Sequence, residues 1–272
     1  MHMTARSLFL LVASAVIAAG SGARAHAGAP IWQRVVLVEL FTSQGCSSCP
    51  PAEAFVRDLP RLGYGRDKVL ALTFHVNYWD DLGWKDPFAA PAFTARQDWY
   101  ARSGRLRAPG AESGLAGLYT PQMIVAGAVH FSGQQRGIAL AEFARAAARP
   151  PELGISADAK PEGDAVTLDV RLAPRQAMPS HRDWRLVVAL AARSQRTQVL
   201  RGENRGETLE EAAVVRALSD RLPVTLTAPT QSRITLRKPA GLAWTDVELV
   251  AFVQSEVTRE VAGAAALSLN AP

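Results

Sequence analysis

The chain has 272 residues, 48% of them hydrophobic and 20% charged, so it is long and apolar enough for one or two ordinary hydrophobic cores. Its formal charge is +5, but the basic residues are scattered among acids, which argues against a nucleic-acid-binding surface. Two cysteines form one disulfide at most, which excludes a miniprotein held together by several bridges.

Residues 1–27 have the organisation of a secretory signal peptide. Arg6 precedes an apolar stretch from Leu8 to Ala19, and small residues then lead to the A-x-A cleavage site in Ala23-Arg-Ala25-His-Ala27. The apolar stretch is shorter than the roughly 20 residues that span a bilayer, although a retained anchor is the alternative. We therefore expect an exported bacterial protein, periplasmic or secreted, without stable membrane insertion after cleavage.

Residues 28–150 alternate strand-like and helix-like segments, which favours an α/β domain around a central mixed sheet. The predicted elements are a strand at Val35–Phe41, a helix at Ala52–Leu62, a strand at Val69–Phe74, one or two helices within Asp86–Arg105, a hairpin of Gln122–Ala126 with Ala128–Phe131, and a helix at Ile138–Ala148.

A domain boundary is predicted near Arg149-Pro150-Pro151, because short strands and turns follow it. This pattern predicts an all-β, sandwich-like domain over residues 151–272. Its predicted strands are Ala165–Leu172, Trp184–Ala191, Gln198–Leu200, Val214–Leu218, Val224–Leu226, Arg233–Leu236 and Val247–Gln254. Glu210–Leu218 has a helical alternative, since Leu209, Ala212, Ala213 and Arg216 would share one helix face.

The two cysteines form a C-x-x-C sequence between the first predicted strand and the first predicted helix. In such a unit we expect Cys46 to be exposed just before the helix and Cys49 to be more buried in its first turn. The amino end of a helix lowers the pKa of a thiol, and the thiolate is the nucleophile in disulfide exchange. Cys46 is therefore predicted to attack a substrate sulfur, and Cys49 to resolve the mixed disulfide.

Three further features are predicted to lie near the cysteine pair. Thr120-Pro121 precedes the hairpin, where a cis proline would lie against the cysteines. Glu39 is an acid within an apolar strand and is predicted to be a buried proton acceptor for Cys49; a solvated glutamate is the alternative. The run His75–Asp86 follows the second strand, at the sheet edge where open α/β folds place their sites.

Part of this run is predicted to face the substrate. The substrate-facing residues are His75, Tyr78, Trp79 and Asp80, together with Thr120 before the proline. The alternative is that Trp79 and Trp84 fill the gap between the two domains. Gly202–Glu207 is predicted to be a turn with charged arms, because Asn and Gly tolerate positive φ.

The order strand, C-x-x-C, helix, strand, Thr-Pro, hairpin, helix resembles the thioredoxin fold, with a helical insertion before the Thr-Pro. Over nearly the whole mature chain the sequence is more closely similar to a family of exported bacterial proteins catalogued as a domain of unknown function. The segments that carry this similarity are Val38–Ala52, His75–Phe88 and Gly202–Leu209.

The resemblance implies a thioredoxin-like domain and brings no established reaction. It implies that Cys46 is the nucleophile, Cys49 the resolving thiol and Pro121 a cis proline. Ser47-Ser48 replaces the commoner Gly-Pro or Pro-His between the cysteines, which leaves the direction of electron transfer open.

We therefore predict an exported thiol–disulfide oxidoreductase that exchanges with a protein or small thiol and uses no organic cofactor and no metal. One alternative is a Cu(I) carrier in which His75 or His130 reaches the thiolates. Cleavage after Ala25 would also leave His26 as an N-terminal metal ligand. Another is a binding module in which Cys46–Cys49 is a static bridge and the second half meets a partner.

Overall fold

The computed structural model describes residues 32–109 and 117–269, so the predicted signal peptide and His26 lie outside the described residues. The first half contains β1 (Val36–Thr42), α1 (Pro50–Asp58), β2 (Val69–His75), α2 (Pro91–Ala101), β3 (Gln122–Val125), β4 (Val129–Ser132) and α3 (Arg136–Ala147). In the described part of the chain, no helix has both the length and the apolar character needed to span a membrane.

The second half of the described chain consists of strands and two single-turn helices. The strands are β5 (Leu153–Glu162), β6 (Ala165–Pro174), β7 (Trp184–Gln198), β8 (Thr208–Leu218), β9 (Leu222–Pro223), β10 (Thr230–Arg237), β11 (Val247–Ser255) and β12 (Val261–Leu267). The short 3₁₀ helices are Ser180–Arg182 and Trp244–Asp246.

One mixed sheet runs through both halves of the chain. Its strand order is β12-β11-β7-β8-β2-β1-β3-β4, with β9 beside β7. The halves meet where β2 and β8 run parallel, with Thr73 opposite Val214. A second, antiparallel sheet contains β10, β6 and β5. The protein is therefore a β-rich mixed α/β fold.

The large sheet is covered on both faces. Strand β1 points Val38 and its alternate neighbours toward α1 and α3, whereas Leu37 and Phe41 point to the opposite face, which α2 covers. Strand β7 continues the pattern: Leu186 and its alternate neighbours contact the small sheet, and Val187 belongs to the α2-side core. The core beneath α2 therefore extends through both halves.

The predicted elements of the first half are confirmed, with helix bounds that differ by a few residues. Helix α1 ends at Asp58, two residues before Pro60, and a single helix occupies the stretch from Asp86 to Arg105. In the second half, Glu210–Leu218 belongs to strand β8 rather than to a helix. The two-domain division stays a prediction, although the strands on its two sides share a sheet.

Some of the second-half strand predictions are wrong. Gln198–Leu200 and Val224–Leu226 are not separate strands, since β7 ends at Gln198 and Val224–Leu226 lies outside regular structure. The sequence does not predict strands β5, β9 and β12. Strand β12 is rich in alanine and glycine, which have low strand propensity, but it is buried and pairs along β11.

Candidate functional site

The cysteines lie where β1 gives way to α1, as predicted. A disulfide joins Cys46 and Cys49, with their Cα atoms 5.5 Å apart. The Cys49 amide donates to the Cys46 carbonyl at 3.1 Å, and Cys49 is the N-cap residue of α1. Pro50 and Pro51 occupy the first turn, where their missing amide hydrogens leave no helical hydrogen bond unmade. The disulfide therefore closes the loop at the amino end of a helix.

Both cysteines are buried, which corrects the prediction that Cys46 is exposed. Each has 0% of its surface accessible, whereas the intervening Ser47 and Ser48 are exposed. The Cys46 Sγ atom lies 3.3 Å from the Ser48 hydroxyl. In this state the disulfide is closed off from solvent.

Residues 202–207, which we call the cover, belong to the second half of the chain and pack against the disulfide loop. The Asn204 side chain is 6% exposed, and its Nδ2 donates to the carbonyls of Gln44 at 2.9 Å and Cys46 at 3.0 Å. The Glu203 carboxylate accepts a hydrogen bond from the Ser47 amide at 2.9 Å. The cover is the turn that the sequence predicted, but its contact with the cysteines was not predicted.

A tight glycine contact fixes the cover against the His75–Asp86 run. Gly202 has φ +76°, and a Cβ there would lie 3.0 Å from Trp84 Cβ. The Trp84 indole donates to the Gln44 side-chain oxygen at 3.1 Å. Trp84 therefore packs between the two halves of the chain, as the alternative interpretation of the His75–Asp86 run expects. Glycine fits at position 202 because its φ is positive and a side chain would crowd Trp84.

Trp79 links the disulfide loop to the Thr-Pro segment. A Cβ at Gly45 would lie 3.2 Å from Trp79 Cβ, and the Trp79 indole donates to the Thr120 hydroxyl at 2.9 Å. The Thr120–Pro121 peptide bond is cis, as predicted. The structure thus brings both Thr120 and Gly45, the residue before Cys46, to Trp79.

The other residues predicted to face a substrate have different surroundings. Tyr78 is partly exposed, and burial of its ring raises its pKa to about 12 despite hydrogen bonds to Gln97 and Thr120. Asp80 accepts a hydrogen bond from the Asp86 amide at 3.2 Å. His75 is fully buried, so in this state it does not face a substrate.

Glu39 is buried, as predicted, but the structure does not bring it to Cys49. Glu39 points to the same face of the sheet as Leu37 and Phe41, the face that α2 covers. Helix α1 covers the opposite face. Arg96 Nε donates to Glu39 Oε1 at 2.5 Å, and the Tyr100 hydroxyl donates to Oε2. Glu39 is therefore the acid of a buried ion pair, and its predicted role as proton acceptor for Cys49 is corrected.

Another buried acid, Glu53, lies on α1, the helix that begins after Cys49. It lies one helical turn after Cys49 and is 3% exposed. The Thr42 hydroxyl donates to its Oε1 at 2.6 Å. Burial, followed by the negative charge of Glu211, raises the pKa of Glu53 to about 7, against the opposing effects of His75 and the Thr42 hydrogen bond.

Glu53 belongs to a buried acid cluster that also contains His75, Asp86 and Glu211. His75 Nδ1 lies 2.7 Å from Asp86 Oδ2, and His75 Nε2 lies 3.5 Å from Glu211 Oε1. Burial alone would lower the pKa of His75, but Asp86, then Glu211 and Glu53, outweigh it and raise that pKa to about 9. The surrounding acids therefore favour the protonated form of His75.

Gln44 connects the buried acid cluster to the disulfide loop. Its amide donates to Asp86 Oδ2 at 2.8 Å, and its side-chain Nε2 donates to Glu211 Oε2 at 2.8 Å. Burial would raise the pKa of Asp86, but His75 and the amides of Gln44 and Phe88 lower it below its usual value. Gln44 thus donates hydrogen bonds to the buried acid cluster and accepts one from the cover through its backbone carbonyl.

The histidines proposed for a metal site have other contacts. His75 is held by Asp86, and the ring of His130 lies 2.9 Å from the Tyr119 hydroxyl. Within residues 32–109 and 117–269, no group of three or more His, Cys, Asp or Glu side chains has an arrangement that could hold a metal ion.

Comparisons with known proteins identify relatives by sequence and by fold. A family model described as a protein of unknown function, DUF1223, matches residues 37–254. A crystal structure of a protein from Agrobacterium tumefaciens, a structural-genomics target, is 26% identical with a TM-score of 0.60, covering 88% of this chain and 97% of that chain. HBP35 of Porphyromonas gingivalis shares the fold at 14% identity and a TM-score of 0.58, covering 89% and 77% of the two chains. The search of curated proteins gave no match.

Proposed function

The chain belongs to the DUF1223 family, whose description states no reaction, and we propose that it is an exported thiol–disulfide oxidoreductase with a thioredoxin-like first half. The observation that carries the proposal is the Cys46–Cys49 disulfide at the amino end of α1. The order β1-α1-β2-α2-β3-β4-α3, with a cis proline before β3, supports the thioredoxin-like assignment. The proposed compartment, periplasmic or extracellular, rests on residues 1–27 and is one where disulfides persist.

The proposed reaction is two successive thiol–disulfide exchanges. A substrate thiolate attacks Cys46 Sγ, the Cys46–Cys49 bond breaks, and its electron pair leaves with Cys49 Sγ. A second substrate thiolate attacks the substrate sulfur of the mixed disulfide and releases Cys46 as a thiolate. The substrate is oxidised to a disulfide and the protein gains two electrons; the reverse sequence reduces a substrate disulfide. The helix amino end stabilises each thiolate that forms beside it.

Because both sulfur atoms are buried, exchange requires the cover to move. The two hydrogen bonds from Asn204 hold the cover on the disulfide loop. At about 1 kcal/mol net for each bond, lifting the cover costs at least about 2 kcal/mol, so at most a few per cent of molecules are open at equilibrium. The proposed oxidoreductase therefore reacts through a minor open state.

Replacing Cys46 tests the proposal directly. The mature chain and its Cys46→Ser variant are compared for turnover of a protein disulfide by glutathione, with Cys49→Ser as the second variant. We expect both variants to lose turnover, while Cys49→Ser traps a mixed disulfide through Cys46 that Cys46→Ser does not form. Turnover by Cys46→Ser at the wild-type rate would remove the assignment.

The burial of both sulfurs favours a second candidate, a binding module with a static bridge. A disulfide that closes so short a loop contributes limited stability through the unfolded chain, so its removal would change the unfolding free energy little. The two candidates differ under reducing conditions. A static bridge stays oxidised in glutathione mixtures that reduce a catalytic couple, and the native protein would show no exchange.

A further inference from the structure

A cavity of about 620 Å³, which we call the apolar cavity, is formed mostly by residues of the second half. Its apolar wall includes Trp244, Val247, Leu267 and Leu269, and the charged residues that line it are Arg66 and Arg193. Small-molecule sites in proteins have volumes of roughly 300–1,000 Å³ and combine an apolar lining with a few placed polar groups. The apolar cavity therefore has the size and the lining of a ligand site.

The apolar wall is held in place by the core between the two sheets. Val247 on β11 and Leu267 on β12 are 1% and 8% exposed and belong to that core. Trp244 packs against the same core, and its indole donates to the Gly163 carbonyl at 2.9 Å, which restrains the ring. A wall of restrained side chains loses little conformational entropy when a ligand binds. The apolar cavity is therefore a preformed site.

The two arginines of the apolar cavity converge on one buried carboxylate, that of Glu248. Arg66 Nε lies 2.9 Å from Glu248 Oε2, and Arg193 Nη1 lies 3.7 Å from the same oxygen. The Glu248 side chain is 9% exposed, whereas those of Arg66 and Arg193 are 41% and 48% exposed. Two guanidinium groups carry about ten N–H donors, and one carboxylate offers about four acceptor positions. At least about six donors are therefore left for water or for a ligand.

The charges of this group do not cancel. Two guanidinium groups and the Glu248 carboxylate leave one net positive charge. Asp246 lines the neighbouring cleft, which also includes both arginines, and is not among the residues that line the apolar cavity. Lys238 lies over the Trp244 ring, but it pairs with Asp164 at 2.6 Å. The apolar cavity therefore places one uncompensated positive charge beside an apolar wall.

We propose that the apolar cavity binds a monocarboxylate with an apolar body, such as a medium-chain fatty acid. The carboxylate accepts N–H donors from Arg66 and Arg193, because the planar guanidinium matches its geometry. The apolar body lies against Trp244, Leu267 and Leu269. A single negative charge balances the net charge of the arginine pair, which favours a carboxylate over a phosphate dianion. The lining residues lie outside the disulfide loop and the cover, so this inference does not depend on the proposed redox reaction.

A series of probes tests the head group and the apolar body separately. Isothermal titration calorimetry on the mature chain at pH 7 compares decanoate, decanol, butyrate and decyl phosphate, each below its micelle concentration. We expect decanoate to bind at least about tenfold more tightly than decanol, which cannot form charge-assisted hydrogen bonds with the arginines. Butyrate buries about six fewer carbon atoms and should bind more than about a hundredfold more weakly than decanoate.

Two variants test the residues, and a third is the matched control. Arg193→Gln removes one guanidinium but leaves Glu248 paired with Arg66, so the buried carboxylate keeps a partner. This variant should bind decanoate about tenfold more weakly and decanol as the wild type does. Trp244→Ala should weaken the binding of both probes. Arg196→Gln should bind both as the wild type does, because Arg196 on β7 is 74% exposed and lines the neighbouring cleft instead.

The wild-type series keeps the inference falsifiable even if a variant fails to fold. No binding of decanoate, or equal affinities for decanoate and decanol, would overturn it. Tighter binding of decyl phosphate than of decanoate would overturn the choice of a monocarboxylate. Equal decanoate affinities of folded Arg193→Gln and Arg196→Gln would remove the arginine pair from the site.

Nuclear magnetic resonance locates the bound probe. The indole N–H signal of Trp244, assigned by its loss in Trp244→Phe, should shift as decanoate is added to the wild type. The Trp79 and Trp84 indole signals, which belong to the contacts around the disulfide loop, should stay in place. Decanoate binding that shifts those two signals and leaves Trp244 unchanged would overturn the proposed location.

Discussion

Removing the Asn204 amide should expose the disulfide to reductants. Asn204→Ala deletes the hydrogen bonds from Nδ2 to the carbonyls of Gln44 and Cys46, which are 2.9 and 3.0 Å long. In the closed state these carbonyls lose their donor, whereas in the open state water satisfies them in either protein. At about 1 kcal/mol for each bond, the closed state loses about 2 kcal/mol relative to the open state.

This loss of free energy in the closed state should raise the rate of disulfide reduction, because the cover must lift before a thiolate can reach the sulfur. A change of about 2 kcal/mol raises the open population about 30-fold. We expect the same factor in the rate at which dithiothreitol reduces Cys46–Cys49 at fixed pH, measured by alkylation and mass spectrometry. The variant should also unfold at lower urea concentration, by an amount that corresponds to a similar free energy.

The matched control is Arg205→Ala, which changes an exposed neighbour in the same turn and should leave the reduction rate unchanged. Both variants are compared under conditions in which circular dichroism shows a native fold. Reduction of Asn204→Ala at the wild-type rate would refute the idea that the cover limits access. If Arg205→Ala is reduced as fast as Asn204→Ala, the acceleration does not come from the loss of the two Asn204 hydrogen bonds.

Three further outcomes follow from other parts of the structure. Glu39→Gln leaves the Arg96 guanidinium buried without its carboxylate, so it should lower the unfolding free energy by about 3–5 kcal/mol in urea titrations. Gly202→Ala places a methyl group 3.0 Å from Trp84 at φ +76°, so the variant should be reduced faster than the wild type; an unchanged rate would show that the cover tolerates the strain. The pKa of His75 is raised in the folded state to about 9. The protonated histidine therefore stabilises the fold fully below about pH 6.5, and this contribution of about 3 kcal/mol is lost as pH rises to 9. In urea unfolding, the free energy of unfolding of His75→Gln should lack this dependence on pH.

The location of the disulfide was predictable because its determinants are local. An apolar run, a C-x-x-C sequence and two prolines within a few residues specify a strand, a loop and a helix start. The cis bond before Pro121 was inferred from the order of elements. The burial of Cys46 was not predictable, because Asn204 lies far along the chain and its side chain reaches the loop only through tertiary folding.

The choice between Glu39 and Glu53 shows where local patterns suffice and where they do not. An acid inside an apolar strand is conspicuous, but its function depends on which face of the sheet it occupies. Alternation along β1 separates Glu39 from Val38 and Leu40, and helical spacing places Glu53 one turn after Cys49. These two local signals could have identified Glu53. Nothing local indicates Glu211, since it reaches the cluster from β8.

The reduction potential of the Cys46–Cys49 couple tests the central claim most directly. The mature protein is equilibrated with glutathione mixtures at pH 7, and the oxidised fraction is measured while the fold is monitored. A redox-active couple should be reversible in the folded protein, with a potential between about −120 and −270 mV. A potential below about −300 mV, or reduction that occurs only when the protein unfolds, would contradict the account and assign the bridge a static role.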